Sequence, residues 1–377
     1  MSWDACCFLI AILILAYTWV GYPALLWILR RVLGRRAIRE SCELTVSIIV
    51  AVHNEQAHIA AKLQDCLALQ YPHDRLEILI VSDGSTDRTE EIVHEFAQRD
   101  PRIRLLRGEG RAGKSGVQNL AARQARGKIL FLTDANTRTT PGVLKLLVEN
   151  FGDPKVGLVS ATVHFGQPAG TVLNGQGLYW RYEYFLRQAE SDIGILATGG
   201  GAAMAMRREL FSPIPSRYGD DCILPLDVRL KGYRVLNDPR AQVFDSSPHS
   251  VDGELGARIR MTARNWTGTL SRPALLNPLR YPMTALGLLS HKLLRWLTPF
   301  LLLIAFAVNT RLIFRQEQIG LWIVEVLFYV SALVGWWRVR KERRAGIFGY
   351  AFSFCLVNVG FFLGIAKVFR NQKIVTY

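Results

Sequence analysis

From Ala5 to Leu29 the chain carries no charged residue. A helix needs about 20 apolar residues to cross the hydrocarbon core of a bilayer, so this run constrains the fold more than any other feature. It makes a poor secretory leader, because Asp4 precedes it, no Lys or Arg does, and the run is long. The basic residues follow it instead, at Arg30, Arg31, Arg35, Arg36 and Arg39, which puts the N-terminus outside and the next segment in the cytoplasm.

Three further apolar stretches fill the C-terminal quarter: Leu293 to Ile313, Ile319 to Trp337 and Gly346 to Ala366. The first has Arg295 and Arg311 near its ends, where long side chains can reach the headgroups. The second contains Glu325, expected to pair with Arg295 or Arg311. The basic run Arg338 to Arg344 marks a cytoplasmic loop. Four spans then place both termini outside, against which Lys367, Arg370 and Lys373 argue; a re-entrant last segment is the alternative. Residues 277–295 mix apolar side chains with Arg280, His291 and Lys292. They read equally as a surface-lying membrane helix and as an amphipathic helix on a soluble core. The expected division is a span in residues 1–30, a cytoplasmic domain over 44–270, and an interfacial helix plus about three spans over 277–377. That describes a multi-pass protein of the plasma (inner) membrane.

A fifth of the 377 residues are charged, too many for a transporter built only of helices, and the net charge is +15. Such an excess suits residues flanking membrane spans, anionic lipid or an anionic substrate. Nucleic acid is not expected as a partner, since no zinc-finger spacing, helix-turn-helix pattern or RNP sequence is present. The six cysteines form no CxxC pair, and no HExxH occurs, so neither a disulfide framework nor a protein-held zinc is expected.

Between Leu44 and Asn265, short β-rich runs alternate with helical stretches. Strands are expected at 45–52, 77–82, 103–106 and 129–133, with helices at 59–69, 89–99 and 117–126 between them. This alternation argues for an α/β domain on a parallel sheet covered on both faces, and such sheets bind ligands beyond the carboxyl ends of their strands. Polar clusters stand at those ends: His53-Asn-Glu55, Asp83-Gly-Ser-Thr-Asp87 and Asp134-Ala-Asn136. One acid there, such as Asp87, serves as well as a helix cap; three clusters describe a crevice for a metal and a polyphosphate.

These residues carry a resemblance. Val46 to Glu55, Val81 to Asp87, Gly113-Lys-Ser115 and Thr133 to Thr137 resemble, in order, the donor half of family 2 inverting glycosyltransferases. Thr198 to Phe211, Asp220-Asp221 and Gly232-Tyr-Arg234 look like the acceptor-side elements of that family. The flanking spans resemble its membrane-embedded branch, which includes cellulose, hyaluronan and poly-N-acetylglucosamine synthases. The resemblance implies a GT-A-like nucleotide-sugar-binding mixed or parallel sheet flanked by transmembrane helices. It implies transfer from a nucleotide-sugar, a UDP-sugar first, to a glycan or lipid acceptor, with accessory membrane subunits possible.

By that resemblance, Asp83 and the stretch that includes Ala51, His53 and Glu55 hold the base and ribose, and Lys114 approaches the nucleotide. Asp134 is implied as a ligand of Mg²⁺ or Mn²⁺ on the diphosphate. Asn136 stands where the family usually has a second Asp; its amide oxygen can coordinate but brings no charge. Asp221 is implied as the general base that takes the acceptor hydroxyl proton, with Asp220 beside it. Burial next to a like charge raises the proton affinity of a carboxylate. One of the pair alternatively caps the helix that follows. Where the membrane synthases carry Gln-x-x-Arg-Trp, this chain has Arg258 to Trp266. Arg260 and Arg264, four apart and so on one helical face, are suited to the diphosphate, and Trp266 to a sugar ring. The aromatic cluster Tyr179 to Tyr184 reads as core packing.

Gly108 to Ser115 also fits the P-loop spacing G-x-x-x-x-G-K-[ST], which would make the chain an ATPase or kinase. That reading gives Glu55, Asp83, Asp87 and everything after Thr198 no role. A non-catalytic membrane scaffold with a degenerate transferase domain is the other alternative.

Overall fold

The computed structural model describes residues 2–34, 38–40, 42–166, 174–246, 250–314 and 319–370. Arg35, Arg36 and Lys373, used above in assigning topology, lie outside them. The chain opens with helix α1 (Trp3–Ala16), a wide π-helical turn over Tyr17–Gly21, and α2 (Tyr22–Leu33), which together make one apolar rod.

An alternating α/β unit follows: β1 (Val46–Val52), α3 (Ile59–Leu67), β2 (Leu76–Ser82), α4 (Thr89–Arg99), β3 (Ile103–Arg107), α5 (Gly113–Gln124) and β4 (Ile129–Thr133). The second half holds β5 (Arg138–Thr139), α6 (Val143–Glu149), β6 (Val156–Gly166), α7 (Asn174–Asp192), β7 (Ala203–Arg207), α8 (Asp220–Leu230), β8 (Arg234–Ser246) and α9 (Val251–Leu270). Among the described residues, the eight strands form one sheet in the order β3-β2-β1-β4-β7-β6-β8-β5. Strands β3, β2, β1 and β4 are parallel, as the alternation predicts. Strand β7 then runs antiparallel to both β4 and β6, so the sheet as a whole is mixed rather than parallel.

Alternate residues of the central strands enter different cores, as the two-residue strand period requires. Val46, Ile48 and Val50 face α3 through Ile59 and Leu63. Ile49 and Leu79 face α5 and α8 through Val117, Ala121, Ile223 and Val228. With both faces covered, the carboxyl ends of β1, β2 and β4 open together at one edge of the sheet.

Helix α10 (Pro282–Gly287), a second π-helical turn (Leu288–Leu293) and α11 (Leu294–Ile313) run on without a break; α12 (Ile319–Arg340) and α13 (Phe348–Phe369) complete the chain. Among the described residues, four segments are long and apolar enough to cross a membrane: Trp3–Leu33, Pro282–Ile313, Ile319–Arg340 and Phe348–Phe369. The stretch read as either a surface-lying or an amphipathic helix is continuous with α11. Its Met283 and Leu286 pack on Tyr22, Leu186 and Ile195.

Two sequence expectations for the spans are corrected. Arg295 does not reach for headgroups: it is 3% exposed and its Nη1 donates to Glu183 Oε2 at 2.7 Å. Glu325 pairs with neither arginine but accepts from Asn309 Nδ2 at 2.6 Å. Both partners come from a different helix, which periodicity along one segment does not reveal.

Helix α9 rests on α13 at two glycines one turn apart. A Cβ on Gly360 would lie 2.7 Å from Arg258 Cβ, and one on Gly364 2.7 Å from Thr262 Cβ. Only glycine permits that approach, and it couples α9 to the last apolar helix.

Candidate active site

At the end of β2, Asp83 is fully buried and its Oδ1 accepts from the backbone N–H groups of Ala112 (2.7 Å) and Gly113 (3.1 Å). An acid at a helix N-terminus satisfies orphan donors and meets the positive end of the helix dipole. Asp83 thus fastens the start of α5 and with it the position of Lys114. His53 Nδ1 lies 3.0 Å from the Asp83 carbonyl oxygen. Glu55 turns to His58, 2.8 Å away. Asp87 accepts from the N–H groups of Gln56 and Thr89, the local capping role open to it. Ala51, His53, Glu55 and Asp83 therefore gather at the ends of β1 and β2, beside the cavity rather than in its wall.

The cavity itself, about 430 Å³, opens at the end of β4 and the start of the antiparallel β7. On the sheet side its wall includes Lys114, Asp134, Asp220, Asp221, Asp245 and the glycines 199–201. Lys114 Nζ stands 2.6 Å from Asp134 Oδ1 and 3.2 Å from Asp220 Oδ2. One turn along α5, Gln118 Nε2 donates to the same Asp220 oxygen at 2.7 Å. The expectation that one of the aspartates caps the helix is not met: the N-cap is Gly219, and no side chain bonds there.

Burial alone would push Lys114 down, but the Asp134 and Asp220 carboxylates reverse this and raise it, so the ammonium is held charged. Burial would likewise raise Asp220, but Lys114, Gln118 and Arg264 outweigh it, and Asp220 is held below the usual carboxylate range. Asp221 goes the other way, raised by burial and then by the Asp220 charge. Its carboxylate accepts no hydrogen bond among the described residues. A Cβ on Gly219 would come within 2.5 Å of Asp221 Oδ1, so the glycine leaves that oxygen room.

Asn136 Nδ2 donates to Asp245 Oδ1 at 3.0 Å, joining the loop after β4 to the end of β8. Asp245 was missed by sequence reasoning, although it carries the same signal as Asp83 and Asp134, an acid ending an apolar strand. Beneath that loop, Lys62 is buried and donates to Thr133 Oγ1 and to the Thr137 carbonyl, both at 2.8 Å. Burial lowers its proton affinity. Asp134, Asn136 and Asp245 offer oxygen donors only, which fits a hard divalent cation. No group of three or more His, Cys, Asp or Glu side chains converges among the described residues. An ion here would then draw its remaining ligands from phosphate and water, the usual mode for Mg²⁺.

Helix α9 closes the cavity with Glu254, Arg258, Met261, Thr262, Arg264 and Asn265. Arg264 donates to the Tyr218 carbonyl. Arg260, expected beside it, is exposed and outside the cavity wall. Trp266 also turns away, packing edge-on to Trp296 at 6.0 Å beside Phe361 and Ile365. The cluster on α7 is likewise not simply core, since Tyr179, Trp180, Glu183, Tyr184 and Arg187 face the cavity.

The loop after β3 does precede a helix, as a P-loop must, but its last N–H groups are taken by Asp83 and its lysine by two aspartates. A phosphate cradle needs those donors free.

Residues 47–214 match the Glycosyl transferase family 2 model. A beta-monoglucosyldiacylglycerol synthase from Synechocystis sp. is 32% identical over 169 residues, covering 44% of this chain and 35% of that protein. A poly-beta-1,6-N-acetyl-D-glucosamine synthase from Staphylococcus aureus is 25% identical over 223 residues, covering 57% of this chain and 53% of that protein. The chain thus spans about half the length of these curated relatives, or less. Among solved structures, the mannosyltransferase PcManGT from Pyrobaculum calidifontis, in complex with GDP-Man and Mn²⁺, superposes with a TM-score of 0.75 at 22% identity, covering 97% of this chain and 100% of that one. At that identity the likeness is one of fold.

Proposed function

Because residues 47–214 form a Glycosyl transferase family 2 domain, we propose that the chain is a membrane-bound inverting glycosyltransferase acting on a nucleotide-diphosphate sugar. Its catalytic domain faces the cytoplasm of a plasma (inner) membrane protein, and its acceptor is a polysaccharide or a lipid-linked molecule. The observation that carries this reading is the pairing, in one cavity, of an ionised Asp220 held by Lys114 with an Asp221 of raised proton affinity.

Asp221 acts as general base: it takes the proton of the acceptor hydroxyl as that oxygen bonds to the anomeric carbon. A base whose pKa is raised toward working pH is better matched to this task than an ordinary carboxylate. The bond from the anomeric carbon to the nucleotide diphosphate breaks on the opposite face, and its electron pair leaves with the diphosphate oxygen. Asp134, Asn136 and Asp245 would hold a divalent cation, which supplies charge neutralisation for the leaving group. Arg264 offers a planar donor fork to the same diphosphate. Asp83 sets the start of α5, so that Lys114 and Gln118 reach Asp220. Ala51, His53 and Glu55 line the approach expected for the base and ribose.

The test is a panel of UDP- and GDP-sugars incubated with the purified chain, membrane extract and Mg²⁺ or Mn²⁺. Metal-dependent release of nucleotide diphosphate with one donor is the expected outcome. Turnover of ATP or GTP while every nucleotide-sugar stays inert would reject the proposal.

A further inference from the structure

The cavity that holds Asp221 does not end in the catalytic domain. Its far wall is made by Lys292, Arg295 and Trp296 of the second span and Phe361 of the last. The π-helical turn over Leu288–Leu293 widens that rod where His291 and Lys292 enter the wall. Wide turns of this kind recur at functional sites.

Charge is divided along the cavity. Near the sheet, Asp134, Asp220, Asp221 and Asp245 share Lys114, Arg187 and Arg264. Near the spans, three cations, Arg258, Lys292 and Arg295, face two carboxylates of the wall, Glu183 and Glu254; His291 also contacts Glu183, and Arg295 also donates to the Tyr179 hydroxyl. At this end the buried Arg295 Nε has no hydrogen-bond partner among the described residues. Buried donors are rarely left unpaired, and phosphate oxygens are strong acceptors for such groups. Between the two ends run aromatic side chains, with the Arg258 guanidinium 4.5 Å from the Tyr179 ring centroid and 5.3 Å from that of Trp180.

We infer that the acceptor is an anionic lipid, entering from the membrane beside α11 and α13, with its phosphate at Arg258, Lys292 and Arg295 and its hydroxyl at Asp221. The inference rests on the transferase reading and names its substrate class. The acceptor oxygen bonds to the anomeric carbon, its proton passes to Asp221, and the nucleotide diphosphate departs with the electron pair. A base is needed because the nucleophile is a hydroxyl; the phosphate serves as a handle for binding.

The test uses the full chain in vesicles of native-membrane lipids, supplied with Mn²⁺ and each nucleotide-sugar labelled in the sugar. Label is expected in chloroform–methanol-soluble material that an anion-exchange column retains. Lys292→Ala should raise the KM for vesicle lipid about tenfold, the loss of one charge-assisted contact, with the donor KM unchanged within about twofold. Lys292→Arg should restore it, which a merely structural role for the side chain does not predict. Label in a water-soluble glycan, in a neutral lipid or in free sugar overturns the inference while leaving the transferase reading standing. Absence of nucleotide-diphosphate release from every donor overturns that reading instead.

Discussion

Asp220 and Asp221 are adjacent in the chain, yet their surroundings drive their protons in opposite directions. Burial raises both. Lys114 at 3.2 Å and Gln118 at 2.7 Å then reverse the effect for Asp220 alone. Two neighbouring carboxylates cannot both ionise freely, so the ionised Asp220 makes Asp221 the better base.

Asp221→Asn should lower turnover about 10²- to 10⁴-fold, the range for removing a general base, with nucleotide diphosphate still binding. It should also raise Tm at neutral pH. An acid whose folded pKa lies above its unfolded value lowers stability once ionised, and the neutral amide lifts that penalty. The gain should shrink as pH falls through the raised folded pKa and vanish below the unfolded value of about 4. Thermal melts across pH 4 to 8 check it; an unchanged Tm at every pH would separate Asp221 from the Asp220 charge.

Lys114→Met should destabilise the domain by about 3 kcal/mol, because it leaves Asp220 buried without its cation. Two signs follow. The lysine pKa is raised, so its contribution is full below the unfolded value of about 10.4 and is lost only as pH climbs through the folded value. The Asp220 pKa is depressed, so its contribution is present above about 4 and is lost as pH falls through the folded value. The variant should therefore differ most from the parent between those limits, as denaturant titrations at several pH values would show.

Asn136→Asp would place a second carboxylate against Asp245, whose Oδ1 now accepts the Asn136 amide at 3.0 Å. Half-maximal activity should then need less Mn²⁺, while the metal-free protein should melt lower through like-charge repulsion. Chelation should abolish transfer by parent and variant alike. An equal metal requirement in the two proteins would mean that position 136 lies outside the ion's reach.

Gly364→Ala should cost about 1–3 kcal/mol, the usual range for overpacking, since its Cβ would meet Thr262 Cβ at 2.7 Å and the Ile259 carbonyl at 3.0 Å. Because α9 carries Arg258 and Arg264 into the cavity, activity should fall further than stability does. Melting temperature and turnover, measured together in detergent and in vesicles, distinguish the two losses. The control Gly346→Ala, at a position with φ +59 and open space around it, should cost backbone strain without the cavity effect.

Much of the fold was legible before any coordinates. The strands beginning at Val46, Leu76 and Ile129 read as near-continuous apolar runs because a parallel sheet buries both faces of its inner strands. The antiparallel β7 did not show itself: Ala203 to Arg207 is short, and its direction depends on the β4 edge it meets. On α9, a spacing of four puts Arg260 and Arg264 on one face, yet Arg258 and Arg264 enter the cavity and Arg260 stays exposed. Periodicity specifies which residues share a helical face but not where that face points. Here the phase is set by the seat of Arg258 and Thr262 against Gly360 and Gly364.

The sequence by itself determined the order of the elements, the apolar spans at both ends and the acids Asp83, Asp134 and Asp221 at the ends or starts of regular structure. These are local properties, written in hydropathy, period and turn chemistry. Only the tertiary structure decided that Asp83 holds a helix, that Asp245 joins Asn136, and that Arg295 pairs with Glu183 across 112 positions of sequence. Side chains so far apart in the chain become neighbours through packing, and a one-dimensional pattern carries no record of which faces meet.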